Sequence, residues 1–150
     1  MPRSRSIDER FHPYIARSYI YWTLMISKEE QRFLGRALVW LVREGEMQRL
    51  TDLEPYEREE LFLVMKDHEA ALDRLWKPDH MNYSWLGNGF EENGGRGHIH
   101  LIPRYKEPRT FAGVVFEDHR WGETPWPYEP LPLNDDVLFK IRDAVKGQLP

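Results

Sequence analysis

The sequence contains no cysteine among its 150 residues. This absence excludes disulfide bonds, thiol nucleophiles and zinc sites built on cysteine. A basic excess is also missing, because 21 Lys and Arg residues stand against 25 Asp and Glu residues, giving a formal net charge of −4. General nucleic-acid-binding proteins usually carry a strong basic excess, so we expect no polymeric nucleic-acid partner.

Long apolar runs are absent as well. The longest, such as residues 37–42, are far too short to cross a bilayer, and residues 1–10 lack the apolar stretch of a secretory signal. These absences predict a cytoplasmic protein without a membrane partner. The length predicts a single domain over residues 1–150, and the 13% aromatic content supplies ample core material.

Short apolar and aromatic segments indicate strands. Four are predicted, at residues 19–26, 37–42, 81–86 and 98–102. Pro103 is expected to stop the last of them, because proline cannot donate to a strand ladder. Residues 111–116 predict a further short edge strand, and the polar residues 1–18 predict a loosely held arm.

Two helices are predicted around these strands. One begins at Pro55 and continues to about Trp76, where apolar residues recur in steps of three and four. The other occupies about residues 134–146, within a C-terminal extension over residues 106–150. Strands, a long helix, further strands and a final helix predict an α+β fold with a mostly antiparallel sheet.

One stretch carries side chains suited to chemistry. Residues two apart on a strand point to the same face, so Arg96, His98 and His100 are expected to project together beside a glycine-rich loop at residues 87–97. Three hypotheses fit these residues. The histidines are merely exposed, or they belong to a zinc site that needs further ligands, or an imidazole attacks phosphorus while cations and loop N–H groups hold the phosphate.

The order and spacing of four segments resemble a known family. The segments are LGRALVWLV at 34–42, LTDL at 50–53, NYSWLGN at 82–88 and HIHLIPRY at 98–105. The last is similar to the end of the histidine triad signature. The third resembles a motif of a bacterial branch related to diadenosine polyphosphate hydrolases. Over roughly residues 19–105 the chain therefore resembles the histidine triad (HIT) superfamily of nucleotide hydrolases and transferases.

The resemblance implies roles for particular residues. His98 corresponds to the nucleophile, and His100 to the histidine that contacts phosphate. Asn88 or Asn93 corresponds to a polar loop residue that contacts phosphate or ribose. Arg96 stands where the family has its first histidine, and there it is expected to bind substrate as a permanently charged phosphate ligand. Arg36 stands at another common histidine position, so the chain is a two-histidine variant.

The same resemblance implies an enzyme. It would act at the α-phosphate of a dinucleoside polyphosphate or related nucleotide, through a nucleotidyl-histidine intermediate. The chemical step needs no cofactor, and a divalent cation on the polyphosphate is compatible with it. A homodimer is implied, in which the long helix and the strand at 37–42 meet their symmetry mates.

Alternatives remain open at this point. The chain is a nucleotide-binding protein that has lost turnover, or a zinc-binding scaffold based on histidine. The Trp- and Pro-rich residues 121–132 either cover the sheet or a dimer partner, or form a lid or base-stacking surface at the pocket.

Overall fold

A computed structural model describes residues 7–43, 49–89 and 96–150 of the chain. The strands, in chain order, are β1 (Ile15–Ser18), β2 (Trp22–Ile26), β3 (Ala37–Leu41), β4 (His80–Trp85), β5 (His98–Arg104), β6 (Arg109–Phe111) and β7 (Val114–Phe116). The first five form one antiparallel sheet in the order β1-β2-β3-β5-β4. The helices are α1 (Pro55–Leu75) and α2 (Asp135–Gly147). The predicted α+β class is confirmed.

Helix α1 begins where the sequence predicts. Pro55 occupies its first turn, and the carboxylate of Glu57 accepts a hydrogen bond from the backbone N–H of Glu54 at 2.9 Å. Such a bond satisfies one of the N–H groups that a helix start leaves unpaired. Neither α1 nor any other helix in the described ranges is both long and apolar enough to cross a membrane.

The sheet has two differently covered faces. One face packs into the main core, where apolar side chains of β2, β3 and β5 meet those of α1 and α2. The other face carries Met25 and Trp40, which form a small buried cluster with Ile7 and pack against Phe11. Burying a large apolar side chain contributes roughly 1.5–3 kcal/mol, so both faces are stabilised mainly by such contacts.

The prediction of a loose arm over residues 1–18 is wrong for its described part. Glu9–Tyr14 form a 3₁₀ helix, and β1 pairs with β2 along the edge of the sheet. Tyr14 and Ala16 are buried in the main core. The polar composition of the segment hides these few apolar anchors, which find partners only in the folded sheet.

Pro103 does not end β5, which continues to Arg104. The carbonyl of Arg104 accepts a hydrogen bond from the N–H of Asp79, so the backbone polar groups of Arg104 point towards β4. Those of the preceding residue, Pro103, therefore point towards β3. Pairing with β3 has already ended at Leu101. The missing N–H of Pro103 therefore removes no bond from the sheet.

The predicted edge strand at 111–116 is instead a hairpin of β6 and β7. Ala112 and Gly113 turn it with φ values of 51° and 76°, the positive values that tight hairpin turns require. The C-terminal helix begins one residue after Asn134, whose side chain accepts from the N–H of Val137 at 3.0 Å.

Candidate active site

His98 and His100 lie together on the sheet face away from the main core. Their ring centroids are 5.1 Å apart, while Ile99 between them points into the core. His98 stacks on Trp40 of the neighbouring strand, with centroids 4.2 Å apart and planes 20° apart. The β3–β5 register places Trp40 directly opposite His98. The structure thus brings the two histidines together as the strand periodicity predicts.

The His98 ring is held by the backbone of Arg96, to which it is hydrogen-bonded. A ring N–H donates and a carbonyl accepts, so the other ring nitrogen keeps its lone pair. Burial lowers the pKa of His98 below its usual 6.5, and the bond to Arg96 opposes this shift. His98 is therefore neutral at neutral pH and is oriented by a main-chain acceptor that the arginine preserves.

His100 is oriented by Arg36. Nη2 of Arg36 lies 3.1 Å from Nδ1 of His100. A guanidinium only donates, so Nδ1 is the acceptor and the proton of neutral His100 is on Nε2. Burial, then the charge of Arg36, then His98 lower the pKa of His100 to about 3. His100 therefore presents an Nε2–H donor at neutral pH.

Arg36 is a completely buried cation, with 0% of its surface exposed. It pairs with the carboxylate of Glu30, and its guanidinium carbon lies 4.9 Å from the Trp126 ring centroid and 5.9 Å from that of Phe33. Its Nε and Nη1 atoms have no hydrogen-bond partner in the described part of the chain. The sequence analysis placed Arg36 at a histidine position of the family but predicted no role for it.

The turn before β3 sets the position of Arg36. Gly35 has a φ of 88°, and a Cβ built there would lie 2.5 Å from Cδ2 of Leu72. Only glycine fits both the backbone angle and this close approach of α1. The Gly35 carbonyl accepts a bond from Nε2 of the buried His68 at 2.9 Å. Helix α1 thereby fixes the turn from which Arg36 reaches His100.

Arg96 is buried and bound to the end of β3. Its Nη1 donates to the carbonyls of Val42 at 2.5 Å and Leu41 at 3.3 Å. These hydrogen bonds tie the guanidinium to the backbone at the end of β3, a structural role that the sequence did not predict. Its expected role as a phosphate ligand stays a prediction.

The two asparagines proposed for substrate contact remain without support. Asn88 is exposed in the 3₁₀ helix Gly87–Gly89, and no contact within the described residues joins it to His98 or His100. Asn93 lies outside the described residues.

Trp126 brings the C-terminal extension to the histidines, with its ring centroid 5.5 Å from that of His100. Arg104 on β5 holds the chain before Trp126. It forms a bidentate ion pair with Asp118, at 2.6 and 3.0 Å, and donates to the carbonyls of Arg120 and Glu123 at 2.7 and 2.8 Å. The extension therefore covers part of the histidine face.

A cavity of about 210 Å³ opens beside His100. Its walls come from three places: Met25, Ile26 and Leu38 on the sheet, Phe11 and Tyr14 in the N-terminal segment, and residues 27–30 after β2. Apolar walls with a few polar groups at one end are typical of small-molecule sites.

Comparison with known proteins addresses the fold. No protein-family model and no curated protein matches the chain. A histidine triad protein from Sinorhizobium meliloti matches with a TM-score of 0.73 and 14% identity, over 99% of this chain and 100% of that one. The Plasmodium falciparum diadenosine triphosphate hydrolase matches with a TM-score of 0.62 and 12% identity, over 91% of this chain and 76% of that one. The C. elegans NitFhit protein matches with a TM-score of 0.63 and 19% identity over 91% of this chain. The chain spans only 27% of that protein's length.

The chain has the histidine triad fold. At such low identities the likeness extends to the fold and not to the activity. Within this histidine triad fold, Arg36 and Arg96 occupy the positions at which the sequence resemblance places histidines. Among the described residues there is no group of three or more His, Asp or Glu side chains that could hold a metal ion.

Proposed function

We propose that this chain is an enzyme of the histidine triad superfamily, which hydrolyses or transfers a nucleotide at its α-phosphate. Dinucleoside polyphosphates and related nucleotides are the substrate class. The observation that carries the proposal is the pair of neutral histidines, with His98 hydrogen-bonded to the backbone of Arg96 and 5.1 Å from His100. A matching structure is that of a diadenosine triphosphate hydrolase, which supports the substrate class.

The reaction would have two steps. The lone pair of His98 forms an N–P bond with the α-phosphorus, and the bond to the bridging oxygen breaks, so that the leaving phosphate takes that electron pair. Water then attacks the phosphorus, the N–P bond breaks, and the electron pair returns to the imidazole while the water proton goes to solvent. A hydroxyl of another acceptor in place of water gives transfer.

His100 would contact the phosphate. Its Nε2–H, fixed by Arg36 at Nδ1, donates to an oxygen that gains negative charge in the transition state. The cation of Arg36 lies directly behind this ring and stabilises the same charge. Such preorganised donors contribute more to the transition state than to the bound substrate.

The nucleoside on the attacked phosphate would enter the cavity of about 210 Å³ beside His100. Met25 and Leu38 on the sheet and Phe11 opposite offer apolar contact to a base. The main-chain groups and carboxylates of residues 27–30 offer acceptors to ribose hydroxyls.

The test compares wild-type protein, His98→Ala and a control, His80→Ala, in diadenosine triphosphate hydrolysis followed by chromatography of the products. His80 is exposed on β4 and stacks on Trp121. We expect the His98 variant to lose turnover while keeping nucleotide affinity, and mass spectrometry to detect a nucleotidyl adduct on His98 in the wild type. Retention of more than about a tenth of wild-type kcat by His98→Ala would contradict the nucleophile.

A second candidate is a nucleotide-binding protein without turnover. The observation in its favour is that two arginines occupy histidine positions, since a guanidinium stays charged and cannot exchange protons as an imidazole does. Nucleotide binding by the wild type with no cleavage and no adduct would support this candidate over the enzyme.

We also propose that the chain forms a homodimer through α1 and β4. Phe62 and Leu63 on α1 are 65% and 52% exposed, and Tyr83 on β4 is also exposed. A cavity of about 270 Å³ between the two elements is lined by Phe62, Tyr83 and their neighbours. The expected contribution of the strand at 37–42 is not supported, because β3 has hydrogen-bonded neighbours on both sides. An exposed apolar patch of this kind is typical of a protein interface.

A further inference from the structure

A second, larger cavity lies next to the histidine face, within the C-terminal extension. It has a volume of about 580 Å³ and begins one residue after Trp126, with Pro127, Tyr128 and Pro130 in its walls. Phe33 also lines the cavity and meets Tyr128 edge to face, with ring centroids 5.7 Å apart. The volume falls within the roughly 300–1,000 Å³ that is usual for small-molecule sites.

Cationic side chains line the same cavity, in a chain that is acidic as a whole. Arg32 and Arg120 are part of its wall, and His119 lies beside them. Arg32 is fixed by the carbonyls of Glu129 and Pro130, at 2.6 and 3.3 Å. Arg120 is fixed by the carbonyl of Thr124 at 2.8 Å. Each guanidinium has five N–H donors, so these bonds orient it and leave donors for a ligand.

Three carboxylates lie near the two arginines and His119. Glu129 lines the cavity, Glu117 is 2.8 Å from Nε2 of His119, and Glu123 is 3.6 Å from Arg120. All three are exposed, so water screens them. The two arginines are part-buried, which makes their charge the more effective towards an anion inside the cavity.

The cavity wall is also continuous with the candidate active site. Tyr128 interacts electrostatically with the carboxylate of Glu30, and burial, then this interaction, raises the Tyr128 pKa. Glu30 pairs with Arg36, and Arg36 in turn donates to His100. Phe33, which lines the cavity, contacts Arg36, and Trp126 contacts both Arg36 and His100. Two side chains therefore separate His100 from the larger cavity.

We propose that this cavity binds the distal nucleoside phosphate of a dinucleoside polyphosphate, the part that leaves when His98 takes the near phosphate. The inference rests on the proposed function. The distal base would stack against the aromatic wall at Tyr128, and the phosphates would receive charge-assisted hydrogen bonds from Arg32 and Arg120. The extension would then select substrates by the size and charge of their leaving group.

The experiment compares two substrates that differ only in the leaving group. Diadenosine triphosphate has a distal nucleoside phosphate, whereas adenosine 5′-phosphoramidate has a small amine. The test variant is Arg32→Gln with Arg120→Gln, since glutamine can still donate to the carbonyls that hold the turns. Arg74→Gln is the matched control. Arg74 also donates to a backbone carbonyl, that of Gln148 at 2.7 Å, but it lies on α1 and does not line the cavity.

We expect the double variant to raise KM for diadenosine triphosphate about tenfold or more, from the loss of two charge-assisted contacts, relative to KM for the phosphoramidate. The control should leave the ratio of the two values unchanged. Equal changes for both substrates, or no change for diadenosine triphosphate, would overturn the inference.

Titration calorimetry separates this outcome from failure of the proposed function. If wild-type protein cleaves neither substrate, the proposed enzyme is wrong, but the cavity is still tested by binding. Wild type should then bind diadenosine triphosphate more tightly than AMP, and the double variant should lose that difference. Equal wild-type affinity for the two nucleotides would reject the distal site.

Discussion

Nη2 of Arg36 donates to Nδ1 of His100 over 3.1 Å, across 64 residues of sequence. This one bond decides which nitrogen of His100 carries the proton. It also places a fixed positive charge behind a ring that stays neutral, because the pKa of His100 is about 3. A histidine at position 36 would lose that fixed charge when neutral.

Removing the guanidinium of Arg36 should allow His100 to adopt either neutral tautomer. We expect Arg36→Met, combined with Glu30→Gln to avoid an unpaired buried carboxylate, to populate both tautomers and to lower kcat/KM about tenfold to a hundredfold, the loss of one charge-assisted hydrogen bond. Imidazole ¹⁵N chemical shifts report the tautomer directly. A His100 that keeps its proton on Nε2 in the double variant would show that Arg36 does not position it. Arg17→Met provides the unrelated control.

The value of kcat/KM should decrease only at pH values below the ordinary pKa of a histidine. A protonated imidazole has no lone pair, and burial lowers the pKa of His98 below 6.5. We therefore expect kcat/KM for diadenosine triphosphate to be constant from about pH 8 to 6.5 and to decline at lower pH. An acid limb centred above pH 7 would contradict the buried, neutral His98 of the structure.

His68 should make stability depend on pH. Burial lowers the pKa of His68 to about 4, against an ordinary 6.5, and its bond to Gly35 opposes the shift. The unfolded chain therefore takes up this proton at a higher pH than the folded chain does. The stabilisation is complete above about pH 6.5 and is lost as the pH falls from 6.5 towards 4, by about 2 kcal/mol at pH 5.

Urea unfolding at pH 7.5 and pH 5 measures this effect. His98 and His100 contribute in the same direction, so the comparison is between wild type and His68→Gln. The variant should lose less stability between the two pH values, and His80→Gln should behave as wild type. An unchanged difference in His68→Gln would show that His68 is not the responsible group.

Arg96 should contribute to stability as well as to substrate binding. Because Nη1 bonds to the carbonyls of Leu41 and Val42, Arg96→Ala should lower the free energy of unfolding by about 1–3 kcal/mol. Arg96→His would restore the family residue. If phosphate binding is its second role, Arg96→His should recover nucleotide affinity more than Arg96→Ala at equal fractions folded.

The homodimer predicts a mass of twice the 18.0 kDa chain at micromolar concentration. Phe62→Asp should give the single-chain mass in analytical ultracentrifugation, because it introduces a charge into the exposed apolar patch on α1. Ile20→Asp is the control, since Ile20 is 76% exposed in the loop after β1. Dissociation by the control alone would place the interface elsewhere.

The sequence predicted those features that depend on local periodicity. Four of the sheet strands and both helices lie within a few residues of their expected bounds, and alternation along β5 placed His98 and His100 on one face. β1 was missed because its pairing partner, β2, is what orders it. Its four residues carry no strong alternation of their own.

The contacts of Arg36 depend on distant parts of the chain and could not be predicted locally. Its bond to His100 follows from the β3–β5 register, which pairs Ala37 with Leu101. Its contact with Trp126 needs the extension to be fastened at Asp118. The family resemblance identified the substitution at position 36 but carried no account of what an arginine does there.

The bidentate pair of Arg104 and Asp118 makes the C-terminal extension inseparable from the sheet that it covers. Both side chains are almost fully buried, so a shortened chain that ends before Asp118 would leave the guanidinium without its carboxylate in the protein interior. Removing one partner of such a pair typically costs about 3–5 kcal/mol, a large part of the stability of a small domain. Shortened or chimeric versions that retain the five strands therefore need residues 117–124 as well, and a transplanted extension needs an arginine at the end of its host's fifth strand.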